Sequence, residues 1–239
     1  MSMSQEPSYA VMPPVYAAMA DADARADFIA KTYVHLLGAV IAFVGLEAVL
    51  FHIPGIENLV GLMVGSRYSW LVVLGLFIFV SHIADRWALT AVEPGKQYLG
   101  LGLYVVAESI IFLPILYIAW ALEPSIVVTA AGATGCLFLV MTVIVFLTRA
   151  DFSFLRGVLF FGSIAALGLI VVAILVDFEL GGIFTYAMIA LACGYILYDT
   201  SNVLHHYRIG QHVAASLALF AAAALLFWYI LRLFLSRRN

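Results

Sequence analysis

Seven apolar runs of about 20 residues, separated by short polar links, dominate this chain. As a helix, a run of that length spans the roughly 30 Å hydrocarbon core of a bilayer. The runs do not alternate apolar and polar residues, so they do not read as barrel strands. Backbone polar groups in hydrocarbon must be satisfied internally, and a helix does this within one segment. Composition agrees: 65% of residues are hydrophobic and 10% charged, against about 25% charged in soluble domains. The fold class expected is an all-α integral membrane protein, a seven-transmembrane-helix bundle.

The spans read as 28–51, 69–90, 97–121, 126–148, 154–176, 182–206 and 213–235. Pro54-Gly55, Pro94-Gly95, Glu123-Pro124, Arg149-Ala-Asp151 and the stretch from His205 to His212 punctuate them. Residues 1–27, with Asp21, Asp23, Asp27, Arg25 and Pro13-Pro14, read as a polar N-terminal tail. Residues 28–239 then form one transmembrane domain. With the N-terminus cytoplasmic, that side holds Arg25, Lys31, Arg86, Lys96, Arg149, Arg156 and Arg208, and the other side holds Arg67. Arg232, Arg237 and Arg238 oppose the pattern, so the last segment either crosses against the charge rule or re-enters. Seven crossings are expected.

Cys136 and Cys193 lie within apolar runs and read as small buried hydrophobes, not as a disulfide framework. Gly132, Gly135 and the alanines of 214–224 mark expected close helix approaches. Phe227, Trp228 and Tyr229 read as a stripe facing lipid or an interface.

Ionisable groups inside apolar spans cost about 2.5–3.5 kcal/mol each on insertion scales, so they are candidates for function. Asp199 stands near the cytoplasmic end of the sixth span with Thr200 and Asn202 beside it. Arg86 ends the second span at a comparable depth, and an Asp199–Arg86 pair is expected, either a latch or a structural ion pair. Glu108 is the deepest carboxylate, six residues before Pro114, whose missing N–H frees a carbonyl one turn earlier. That combination suits a cation or proton site. Glu47, His82 and Asp85 are secondary candidates, as is Asn202. His205, His206 and His212 show no convergent metal-ligand spacing, and they could modulate Asp199 by titrating near neutral pH. No metal site, cofactor, catalytic residue or nucleic-acid partner is expected. The partner is the lipid bilayer. An intramembrane hydrolase would need more converging groups than His35 and His82, and a retinal protein would need a lysine deeper than Lys31 or Lys96.

Three motifs carry a resemblance. Gly194-Tyr-Ile-Leu-Tyr-Asp199-Thr-Ser-Asn-Val-Leu-His205 is similar to the sixth-helix signature of the Bax inhibitor-1 family. Thr148-Arg149-Ala-Asp151-Phe-Ser-Phe-Leu155 and Glu108-Ser-Ile-Ile-Phe-Leu-Pro114 resemble its fourth-to-fifth link and third helix. The resemblance implies a bundle whose last helix is surrounded by the other six, and a pH-sensitive Ca²⁺ or H⁺ leak. In leak-type members two aspartates on the sixth and seventh helices share a proton and respond to an arginine on the second. Asp199 and Arg86 match two of these, whereas Ala221 occupies the second aspartate's place and Ala224 that of a nearby polar residue. This absence resembles the bacterial YccA-like branch. That branch implies an inner-membrane protein, with modulation of membrane-protein quality control through a membrane-bound ATP-dependent protease as the alternative function. Ca²⁺ would then be a permeant ion, not a cofactor.

Overall fold

A computed structural model describes residues 15–89 and 93–237. The expectation for Pro13-Pro14 and the rest of residues 1–14 lies outside the described residues. Eight α-helices follow a short 3₁₀ turn at Ala17–Met19, and among the described residues they form no sheet. They are α1 (Ala22–Phe51), α2 (Ile56–Val64), α3 (Arg67–Ala88), α4 (Pro94–Leu122), α5 (Pro124–Thr148), α6 (Leu155–Val176), α7 (Gly182–His205) and α8 (His212–Ser236). Seven of them, all but α2, are long and apolar enough to cross a membrane.

Local chemistry sets the boundaries. Ala24 N donates to the Asp21 carboxylate at 2.8 Å, capping α1, so this helix starts six residues earlier than its apolar pattern. Ser66 accepts from Ser69 N at 3.0 Å at the start of α3. Pro94 and Pro124 occupy first-turn positions of α4 and α5, where a missing N–H costs nothing. The short α2, absent from the sequence reading, buries Ile56, Val60 and Met63 on one face, the first two beside Leu113.

Seven antiparallel crossings give the bundle two ends. The near end carries the start of α1 and the α7–α8 link; the far end carries α2, the α6–α7 link and the end of α8. Arg232 donates to Leu180 O at 2.9 Å and Arg237 to Tyr186 Oη at 3.0 Å, both at the far end. The last segment therefore crosses and does not re-enter. It is also central: α8 packs against α1, α3, α4, α5 and α7, and buries Leu219, Leu226 and Leu231 completely.

The aromatic stripe of α8 turns inward, contrary to the sequence reading. Phe227 stacks on Phe112 at 5.5 Å, Trp228 stacks on Trp70 at 6.0 Å, and Tyr229 is buried. Lipid-facing surface comes instead from residues such as Leu37, Ile41, Phe79, Leu147, Phe160 and Phe161. Gly132 and Gly135 also depart from expectation: both are exposed, and an added Cβ at either would meet nothing. On α5 the buried small residues are Ala130, Thr134 and Thr142. Close approach occurs elsewhere, where Leu159 packs on Gly194 and Leu191 on Gly162 to lock α6 against α7. Cys136 is exposed and Cys193 half-buried, so neither is the fully buried hydrophobe expected.

The near end is tied by two links. Ala17 N donates to Tyr207 O and Ile209 N to Val15 O, both at 2.9 Å, and the Arg208 guanidinium lies 5.6 Å from the Tyr16 ring centre. Residues 15–20 thus dock on the α7–α8 link, and Ala17 is fully buried. In the second link, Ser153 N donates to the Asp151 carboxylate at 2.9 Å and Phe152 N to Ser201 Oγ at 2.9 Å, while His206 lies 3.1 Å from Asp151. The Ser153 N–H holds the Asp151 carboxyl below the usual carboxylate range, opposed by slight burial and helped by His206. Because its pKa is lowered, the contribution is complete above the unfolded-state value and fades as pH falls through the folded one. Asp151→Ala is expected to cost about 0.5–1 kcal/mol near neutral pH. Thermal unfolding midpoints of the two proteins should converge at acid pH; a constant offset would assign the loss to the turn alone.

Candidate functional site: an acid-floored cavity

Between α3, α4, α6, α7 and α8 lies a cavity of about 1260 Å³. Its mouth is at the far end, ringed by Arg67, Asp177, Glu179 and Arg232. Its walls carry Trp70, Phe77, Phe112, Leu167, Ile170, Leu217, Ala221 and Trp228. Towards the near side of the bundle the lining holds Ser81, His82, Asp85, Tyr104, Glu108 and Asp199, of which His82 and Asp85 are exposed.

Helical geometry explains which side chains arrive there. On α3, Ser81, His82 and Asp85 recur at three- and four-residue spacing and share a face. On α4, Tyr104 and Glu108 are one turn apart, and the Tyr104 hydroxyl faces the Glu108 carboxyl. On α7, Tyr195 and Asp199 are likewise one turn apart; Tyr195 Oη bonds Ser163 Oγ of α6 at 2.9 Å. Glu108 and Asp199 are 5% and 8% exposed, so what they reach is the cavity and their neighbours.

The structure sets Asp85, not Arg86, among the groups whose charge reaches Asp199. The two carboxyls are close enough for their charges to interact, and Asn202 is the side chain beside Asp199. Among the described residues Asp199 makes no ion pair with Arg86, contrary to the sequence reading. Consecutive helical residues point about 100° apart, so Asp85 in the cavity turns Arg86 outward. Arg86 is exposed, is engaged elsewhere and does not line the cavity. Asp85 and His82, secondary in the sequence, are therefore brought together with Glu108 and Asp199.

Glu47 is not brought there. It continues the buried stripe Phe28, Thr32, Leu36, Ala39 and Phe43, facing the α4 and α8 side of α1. Both its carboxyl oxygens are buried without a hydrogen-bond partner among the described residues. The histidines also stand apart from Asp199. His205 bonds Ser201 O at 3.0 Å, His206 meets Asp151, and His212 lies beside His35 with tilted rings whose centres are 4.9 Å apart.

Sequence reasoning missed the mouth and Tyr104. Arg67 donates to Asp177 at 3.2 Å, tying the start of α3 to the α6–α7 link across the opening. Their separation along the chain hides the pair, whereas the spacing of Tyr104 and Glu108 was a signal available in sequence. Tyr207 was missed as well. It lies within reach of the charges of Asp199 and Asp85, and its carbonyl accepts from Ala17 N of the docked residues 15–20.

The family described as "Inhibitor of apoptosis-promoting Bax1" matches residues 25–239. "Protein LIFEGUARD 4" of Arabidopsis thaliana is 31% identical over 145 residues, covering 58% of this chain and 57% of that protein. An "Uncharacterized membrane protein" of Vibrio cholerae is 29% identical over 111 residues, covering 44% of this chain and 47% of that protein. The chain spans about half the length of the curated relatives it matches. With a match over nearly all of its helical region and seven helices fit to cross a membrane, the chain belongs to the Bax inhibitor-1 family of multi-pass membrane proteins.

Proposed function

We propose that the protein is a passive leak for cations, Ca²⁺ or H⁺, held closed at one end. The cavity carries this reading: its lining runs from the far end past Glu108 to the carboxyls of Asp85 and Asp199. Beyond them Tyr207 and the docked residues 15–20 stand between the floor and the near end. The charge asymmetry of the loops supports a cytoplasmic near end, and the YccA-like motif pattern supports a bacterial inner membrane as its setting. A conducting path needs sites that are favourable to enter and weak enough to leave. Carboxyls distributed along a wide cavity meet that condition better than a tight cage would.

Asp85 takes a part that Ala221 cannot. Two carboxyls within reach of each other's charge favour a cationic species in the same cavity, a proton or a metal ion, and its removal leaves like charges in repulsion. Opening of the near end would follow from separating α3 and α7 at this point.

Purified protein in proteoliposomes should pass Ca²⁺ above the empty-liposome level, with a rate that varies between about pH 5 and 8. Asp199→Asn and Asp85→Asn should each change that rate severalfold and flatten its pH dependence. Folded protein that passes no Ca²⁺ at any pH would sink the leak. The reading left would be modulation of a membrane-bound ATP-dependent protease, which predicts function that survives loss of the carboxyls but not of the N-terminal segment.

A further inference from the structure

The cavity is far larger than an inorganic ion requires. Sites for drug-sized molecules occupy about 300–1,000 Å³, and this one measures about 1260 Å³. A Ca²⁺ site gathers six to eight oxygens within about 2.6 Å of the metal. Among the described residues no three His, Cys, Asp or Glu side chains are grouped to hold a metal. The acids are spread over α3, α4 and α7, and most of the wall between them and the mouth is apolar or aromatic.

Carboxyl groups spread beneath aromatic faces suit a cation whose charge is diffuse and whose body is apolar. Aromatic rings attract cations through their faces, and the attraction grows when water is excluded. Phe77, Phe112 and Trp228 line the cavity above Glu108 and Asp199. The mouth carries no excess of positive charge, because the acids Asp177 and Glu179 match the bases Arg67 and Arg232 among its residues, and Arg67 is paired with Asp177. A route from the bilayer is also present. α3 packs extensively on α4 but only lightly on α6, and apolar Leu74, Ile78, Leu167 and Ile170 line the two sides of that seam.

We propose that this cavity binds a lipophilic organic cation, a bulky apolar amine, quaternary ammonium or phosphonium, with its charge towards Glu108 and Asp199 and its body against Phe77, Phe112 and Trp228. The inference deepens the reading of the cavity as the functional site and does not depend on conduction. Such a molecule fills the path that an inorganic cation would take, so it acts as a plug or as a cargo.

Equilibrium dialysis of the full-length protein in detergent tests this with tetraphenylphosphonium and with tetraphenylborate, which has nearly the same shape and opposite charge. Saturable binding of the cation, at least about tenfold tighter than the anion, is expected. The double variant Glu108→Gln/Asp199→Asn should weaken it about tenfold or more. Ile170→Trp, which adds bulk from the lightly packed α6 and leaves every charge in place, should weaken it too, and an unchanged melting profile confirms folding. Equal binding of the two ions, non-saturable binding, or binding indifferent to both variants overturns the inference. Ca²⁺ flux measured on the same preparation separates the two readings. Cation binding without flux removes only the leak, and flux without cation binding removes only this proposal.

Discussion

Gly100→Ala should cost about 2–3 kcal/mol of folding stability, a large penalty for one methyl group. A Cβ on Gly100 would sit 2.6 Å from Ala84 O and 2.7 Å from Ala88 N, inside any allowed contact. The obstructing atoms are backbone, so no side-chain rotation relieves the clash, and α3 must move off α4. Ala84 and Ala88 are 0% and 1% exposed, which shows how closely the two helices run there. The same displacement would shift Asp85 relative to Glu108, so ligand binding and stability should fail together. Gly102→Ala is the matched control. Two residues along α4, its Cβ would meet nothing within 4 Å, so relief of glycine's helix penalty should leave the variant equal to wild type or more stable by about 0.5 kcal/mol. SDS titration of both in mixed micelles measures the difference. Equal midpoints would mean that α3 and α4 do not meet at Gly100.

Glu47→Met should have the opposite sign, a gain of about 1–3 kcal/mol. Both carboxyl oxygens are buried and lack a hydrogen-bond partner among the described residues. A polar group without a partner loses its hydration on folding and recovers nothing for it, so an unbranched apolar side chain of similar length removes a penalty without opening a void. Glu47→Ala separates the two effects, because it deletes the carboxyl and leaves a cavity. The same SDS titration should order the proteins Met above wild type, with Ala below Met. A Met variant less stable than wild type would show that the carboxyl holds something, an ordered water or an ion, that compensates its burial.

The spans were legible because hydropathy and helix length are local properties. Their partners were not. The chain shows that Asp85, Arg86, Glu108 and Asp199 are costly in hydrocarbon, and three of the four line the cavity. Choosing between Asp85 and Arg86 requires the rotation of α3 about its own axis, which neighbours set. A helix apolar on every side leaves little pattern from which to read that rotation. The same ambiguity misassigned Phe227, Trp228 and Tyr229, whose bulk suited lipid but which are wedged among Phe112, Trp70 and Phe184. The early start of α1 was hidden for a different reason. Asp21, Asp23, Arg25 and Asp27 carry a tail's composition, yet Asp21 is a cap and the others decorate exposed turns. The nine residues of α2 were too few to register beside Pro54-Gly55.

The helix at the centre of this bundle follows the other seven along the chain, so the ribosome makes it after them. Until His212–Ser236 emerges, α1, α3, α4, α5 and α7 lack the surface against which their inner faces close. Six helices must therefore wait in the bilayer around an unfilled axis, with Asp199, Thr200 and Ser201 not yet enclosed. Completion is all at once: a single late segment supplies Leu219, Leu226 and Leu231 to every neighbour together. A chain cut short before that segment would have its full set of earlier crossings and no interior.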